Sequence, residues 1–180
     1  MSTMDSVLQE NIRIMAQVIT EICQRNTRKQ VSEHPLTRNQ CYILKILGTS
    51  GGFLITELAQ VLDISTAATS KNIDRLEKIN LVARQPHSKD RRSLEVQLLP
   101  AGQRLVKEFD RVTVKKMAPL MAQFSEEEKS ALLDFLQRIV KYTLASENNT
   151  DLICMQCGGK CGDDCAVSIG QGACSRPRKT

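Results

Sequence analysis

Five cysteines, Cys154, Cys157, Cys161, Cys165 and Cys174, fall within 21 residues of a 180-residue chain. Their pattern, C-x2-C-x3-C-x3-C-x8-C, is interleaved with Gly158, Gly159, Gly162, Gly170 and Gly172. Thiolates ligate soft and borderline metals, and glycines leave backbone amides free to turn around the sulfurs. Structural zinc is commonly gripped by two Cys pairs set about a dozen or more residues apart. Here the first four cysteines crowd into 12 residues, as in short iron-sulfur runs. The expectation is an iron-sulfur cluster, most readily of the four-iron type, held by Cys154, Cys157 and Cys161 with Cys165 or Cys174. Zinc is the alternative and a metal-free thiol switch a third, because the spacing is not the bacterial ferredoxin run, whose fourth Cys serves a second cluster. Disulfides are not expected as a resting state in a reducing cytosol.

A second constellation is built for contact rather than ligation. Between Ser65 and Ile79, the apolar residues Ile64, Ala68, Ile73, Leu76 and Ile79 recur at three-to-five-residue spacing and predict a helix with one core face. Ser65, Thr66, Ala67, Ser70, Lys71 and Arg75 remain on the other side. Small residues let a helix backbone sink into a groove, hydroxyls reach base edges or phosphates, and Lys or Arg neutralise backbone charge. Taken alone this face could equally be an ordinary solvated one. Its flanks argue for a recognition helix.

Those flanks are the elements that position it. Ile55 to Asp63 reads as a short helix with Thr56 placed to cap and a small Ala59 permitting close packing. Asp63-Ile64-Ser65 is then a tight turn with Ser65 as the next cap, giving a helix-turn-helix. Asn80 can take the left-handed conformation that ends a helix. Leu81 to Arg84 and Leu94 to Leu98 read as strands. The polar, basic tip between them carries Lys89, Asp90, Arg91 and Arg92, so the whole predicts a winged helix-turn-helix.

Framing helices come from the rest of the chain. Leu8, Ile12, Met15, Ile19 and Ile22 make a long amphipathic helix from Asp5 to about Lys29, broken by Glu33-His34-Pro35. Thr37 caps a second, apolar helix expected to stop at Gly48 and the Gly51-Gly52 turn. Cys23 and Cys41 read as buried packing residues, and His34 and His87 as surface or polar-network residues. Pro100 opens a helix striped by Leu105, Phe109, Val112 and Met117 and ended by Pro119. Ser125 and Glu128 form a capping box for a last helix striped by Leu132, Phe135, Leu136, Ile139, Val140, Thr143 and Leu144. Three such stripes exceed what a small head can cover, which predicts a homodimer.

Composition agrees. The chain is 41% apolar and 25% charged, as expected of a soluble globular protein. It shows neither an apolar run of about eighteen residues nor an apolar block behind a basic N-terminus, so a cytoplasmic protein without a membrane span is expected. Formal charge is +5. Residues 65–92 hold seven Lys or Arg against three acids, a surplus suited to a polyanion.

The order of elements, together with Leu58-Ala59, Ile64-Ser65, Arg75-Leu76-Glu77, Leu81-Val82-Ala83-Arg84 and Asp90-Arg91-Arg92, resembles the MarR family of bacterial transcriptional regulators over roughly residues 5–145. The resemblance implies a two-fold dimer joined through its first and last helices and bound to a palindromic DNA operator. It also implies a major-groove role for the helix from Ser65, and a minor-groove wing in which Asp90 steadies Arg92. Asn80 stands where the family usually has Gly, and Leu99 where it usually has Thr. Family members commonly release DNA when a phenolic ligand or oxidant acts near the dimer helices. Two Tyr, four Phe and no Trp leave little with which to line an aromatic cavity.

The expected fold class is mainly α (α+β). A winged helix-turn-helix domain over 1–145 comprises a DNA-reading head at about 36–99 and dimerisation helices at about 5–29 and 100–145. A cysteine-rich, metal- or cluster-binding tail follows at 146–180. The expected function is a sequence-specific repressor sensing redox state, oxygen or iron through its tail. The competing reading is an electron-transfer or metal-storage protein with a DNA-docking module. Against an enzyme stand the lack of a Gly-rich phosphate loop, of a Ser-His-Asp order and of paired carboxylates beside a His.

Overall fold

The computed structural model describes residues 2–86, 94–145 and Cys165. Helix α1 (Thr3–Gln17) opens on a reciprocal cap: the Ser2 hydroxyl accepts from the Asp5 N–H (3.1 Å) and the Asp5 carboxylate from the Ser2 N–H (2.8 Å). A π-helical segment, Val18–Cys23, joins it to α2 (Gln24–Val31). The long first helix expected from Asp5 to Lys29 thus begins two residues earlier, ends two later, and carries a wider turn that apolar spacing does not reveal.

Helix α3 (Arg38–Ser50) is capped by Thr37 as the sequence suggests, and the Gln40 side chain completes a capping box by accepting the Thr37 N–H at 2.8 Å. It runs past Gly48 to Ser50 and closes at the expected Gly51-Gly52 turn, where Gly51 has a φ of 90° that an L side chain would resist. Strand β1 (Phe53–Leu54) follows, too short to show alternation in sequence. In α4 (Ile55–Leu62), Thr56 is not the cap; the Glu57 carboxylate takes the Leu54 N–H at 2.8 Å instead. Helix α5 (Thr66–Lys78) begins at the Ser65 cap.

Strands β2 (Val82–Pro86) and β3 (Leu94–Leu98) pair antiparallel with Val82 opposite Leu98 and Arg84 opposite Val96. Strand β1 joins the far edge of β3, so the sheet order is β1-β3-β2. Helix α6 (Pro100–Met121) starts without a side-chain cap at Leu99. Pro119 does not end it: a proline in the last turn removes one N–H, and the helix closes two residues later at Met121. Helix α7 (Glu126–Ala145) has the expected capping box, with Ser125 and Glu128 exchanging hydrogen bonds of 3.2 and 2.8 Å.

Ile43, Leu44 and Ile46 of α3, Leu58 of α4, Ile73 and Leu76 of α5, and Val82 and Val96 of the sheet form the core, all nearly inaccessible. Each such side chain contributes about 1.5–3 kcal/mol on burial. They fix α5 with its outer face turned away. Gly102 sets how α6 leaves this head: a Cβ there would lie 2.2 Å from the Leu81 carbonyl oxygen, which itself accepts the Leu99 N–H at 3.0 Å.

Of the three stripes expected to exceed the head, that of α6 is covered within the chain, with Phe109 and Val112 buried and Leu105 packed on the core. Leu144 of α7 is buried as well; much of the other two stripes stays uncovered. Met4, Val7, Leu8, Ile12, Met15 and Ile19 of the first helix are exposed. So are Leu133, Phe135, Leu136 and Ile139 of α7.

Candidate nucleic-acid interface

The turn between α4 and α5 is held by backbone hydrogen bonds. Asp63 sits in the left-handed region (φ 51°), where its N–H reaches the Gln60 carbonyl (3.2 Å) while the Ile64 N–H reaches that of Ala59 (3.1 Å). The far end of α5 closes in the same manner at Asn80 (φ 56°), with Leu81 N–H on the Leu76 carbonyl (3.0 Å). Asp and Asn tolerate this conformation because their short polar side chains bond locally.

Ser65, Thr66, Ala67, Lys71 and Arg75 are exposed on α5, and Ser70 is half-buried. Lys78 joins them on the exposed side, and neither it nor Lys71 or Arg75 forms an ion pair among the described residues. The inner face is Thr69, Ile73 and Leu76; Thr69, fully buried, donates its hydroxyl to the Ser65 carbonyl at 3.1 Å. Apolar spacing alone assigns the core to Ala68 and misses Thr69.

Arg84 escapes sequence reasoning as well. Counted from sequence as part of the basic patch, it instead lies on the Val82 side of β2, two residues along, and so meets α5. Its guanidinium pairs with the Glu77 carboxylate, with Asp74 Oδ1 at 2.7 Å, and with Ser70 Oγ at 3.3 Å. Its backbone N–H adds a 3.0 Å bond to Glu77. The readable signal is the 70/74/77 spacing, which puts two acids and a hydroxyl on one helix face seven residues before an arginine. Both acids of α5 are thereby neutralised, and its exposed cations stand unopposed.

Lys89, Asp90, Arg91 and Arg92 lie outside the described residues, as do His87 and the tail cysteines 154, 157, 161 and 174. Cys165 is described, as a half-buried free thiol. Among the described residues no group of three His, Cys, Asp or Glu could hold a metal ion. His34 is exposed beside Pro35. A cleft of about 430 Å³ between α3, β3 and α6 is lined by Leu47, Gln97, Leu98, Gln103, Val106 and Lys107, with no aromatic ring.

Residues 36–94, from the approach to α3 through the start of β3, match the MarR family model. The chain carries a MarR-family domain. The HTH-type transcriptional repressor MdtR of Bacillus subtilis is 26% identical over 121 residues, covering 67% of this chain and 78% of MdtR. RV1404 from Mycobacterium tuberculosis shares the fold with a TM-score of 0.66 at 23% identity, over 83% of this chain and 99% of that one. A point mutant of MepR from S. aureus, solved bound to an oligodeoxyribonucleotide, superposes with a TM-score of 0.56 at 21% identity, over 79% and 99% of the two chains. MdtR and PecS of Dickeya dadantii, the latter 28% identical over 127 residues, are both HTH-type transcriptional regulators. No helix among the described residues is long and apolar enough to cross a membrane.

Proposed function

We propose that this chain is a dimeric, cytoplasmic repressor that reads duplex DNA by inserting α5 into the major groove. The observation that carries the reading is the outer face of α5. It presents Ser65, Thr66 and Ala67 at its start and Lys71, Arg75 and Lys78 along its length, while Arg84 occupies the only acids of that helix. Such a face offers close approach, hydrogen bonds and uncompensated positive charge together. The uncovered stripes of α1 and α7 supply the surface for a second copy, and a two-fold dimer meets a palindrome whose half-sites lie about one helical turn apart.

In this reading Lys89, Asp90, Arg91 and Arg92 form the wing tip, with Asp90 steadying Arg92 for the minor groove. Binding of full-length protein to a selected duplex, measured across salt concentrations, tests it: affinity should fall steeply as phosphate neutralisation releases counterions. Arg92→Ala should cost about 1–3 kcal/mol in a narrow minor groove. Unchanged operator affinity in that variant removes the wing from the mechanism.

The finer proposal assigns the tail to an iron-sulfur cluster through Cys154, Cys157 and Cys161 with Cys165 or Cys174. The support is the donor set itself, five thiols among glycines that begin nine residues beyond the end of α7. A cluster would supply a centre labile to oxygen and to iron supply, and ligation strong enough to bias the packing of the helix it follows. Anaerobic preparation with iron, sulfide and zinc analysis tests it, alongside operator affinity with the tail loaded and stripped. Colourless protein with about one zinc per chain would replace the cluster with zinc. Affinity indifferent to occupancy would end the sensor role.

A further inference from the structure

Arg84 does more to α5 than cancel its acids. A guanidinium only donates hydrogen bonds, so in its 3.3 Å contact with Ser70 the serine oxygen must be the acceptor. A hydroxyl has two lone pairs and one hydrogen. Arg84 occupies a lone pair and, as a cation held at that spot by Asp74 and Glu77, turns the hydroxyl dipole so that its hydrogen points away. Among the described residues that hydrogen has no acceptor. The neighbouring polar groups are already committed, Thr69 to the Ser65 carbonyl at 3.1 Å and the Asn72 amide to the Ala68 carbonyl at 2.9 Å. Ser65, for its part, accepts the Ala68 N–H to cap the helix. Ser70 sits at the rim between buried Thr69 and exposed Lys71.

We propose that Arg84 is a specificity-setting positioning residue that polarises Ser70 into a donor, so that α5 selects a base-edge acceptor at the position Ser70 faces. In the major groove that chemistry is met by guanine O6 or N7, adenine N7 or thymine O4, and is refused by the cytosine amino group. The inference rests on the proposal that α5 reads the major groove, and deepens it.

The test is selection of full-length protein and its variants against a randomised duplex pool, with sequencing of the bound fraction and salt titration of the winning site. Wild type should favour an acceptor-bearing base at one position per half-site by about fivefold, the scale of one net hydrogen bond. Ser70→Ala should reduce that preference below about twofold while the remaining positions and the salt slope hold. Arg84→Met should erase the same position, and the double variant should do no more than either single one. Arg84→Lys keeps the charge, but a single ammonium lacks the planar fork that bridges three partners; it should also lose the preference while melting near wild type. Should both Arg84 variants fail to fold, the wild-type selection still decides, because an unpolarised hydroxyl both donates and accepts, so cytosine tolerated at the Ser70 position would overturn the assignment. A Ser70→Ala loss spread evenly over all sequences would mean that the hydroxyl meets a phosphate, and would overturn the assignment. So would an Arg84 variant that keeps the preference intact. A wild type selecting no sequence at all would sink the major-groove reading itself.

Discussion

The Cys41 thiol lies at 7% exposure on α3, and burial, outweighing the nearby charges of Arg28 and Lys45, pushes its pKa from an ordinary value near 9 up to about 11. A buried neutral thiol is a poor nucleophile, so native protein should leave Cys41 unlabelled by iodoacetamide at pH 8, as read by peptide mass mapping, while urea exposes it. The linkage runs in a definite direction. The folded state keeps the proton after the unfolded state has lost it, so the contribution is complete below the unfolded value and vanishes as pH climbs through the folded one. Relative to Cys41→Ala, wild type should therefore lose up to about 3 kcal/mol between these limits. Gly102 is the other residue with a sharp requirement. Gly102→Ala places a methyl group against the Leu81 carbonyl oxygen and should lower stability by about 1–3 kcal/mol or more. A melt unchanged from wild type would mean that α6 shifts freely. The packing of Cys41 is legible from its apolar neighbours. The inward turn of Arg84 is not, because a sequence shows a charge but not the side of the strand on which it emerges.

Among the elements, those with an internal signature are readable and those fixed by their surroundings are not. Thr37 with Gln40, and Ser125 with Glu128, are capping pairs visible as spacing, and both form. The Ser65 start and the Asn80 end of α5 are readable for the same reason. Thr56 looks equally suited, yet the chain enters α4 from β1 at Leu54, two positions too early for that hydroxyl, and Glu57 serves instead. Strand β1 exists because β3 offers an edge, which no local pattern announces. Pro119 reads as a terminator, but the carbonyls it leaves unpaired lie near the helix end, where a turn can be lost cheaply.

At the scale of the molecule, the head closes a core of its own while the flanking helices do not. Leu133, Phe135, Leu136 and Ile139 remain 38–54% exposed in the single chain, too much apolar surface for one helix to leave in water. If a second copy covers it, Leu136→Glu buries an unpaired charge at that contact. Sedimentation should then show monomers or unfolded protein and loss of operator binding. A folded, DNA-binding dimer carrying Leu136→Glu would place the interface elsewhere. The stripes and their excess over what the head can cover are legible in sequence, whereas the pairing of first with last helices is legible only through the family resemblance.

The π-helical segment at Val18–Cys23 acts as a phase shifter. One extra residue in a turn rotates everything before it by about 100° relative to everything after. On one side of it the first helix buries nothing, and its apolar residues look outward. On the other side α2 buries Thr27 and lies against α6. A single helical rod therefore presents one azimuth to its own body and a different one to whatever meets it from outside. Deleting one residue there, such as the exposed Glu21, should restore the regular pitch and swing the N-terminal stripe out of register. The expected product is a protein with an intact head and near-native helical content that no longer self-associates, and a deletion variant that remained dimeric would show that the two azimuths need not be kept apart.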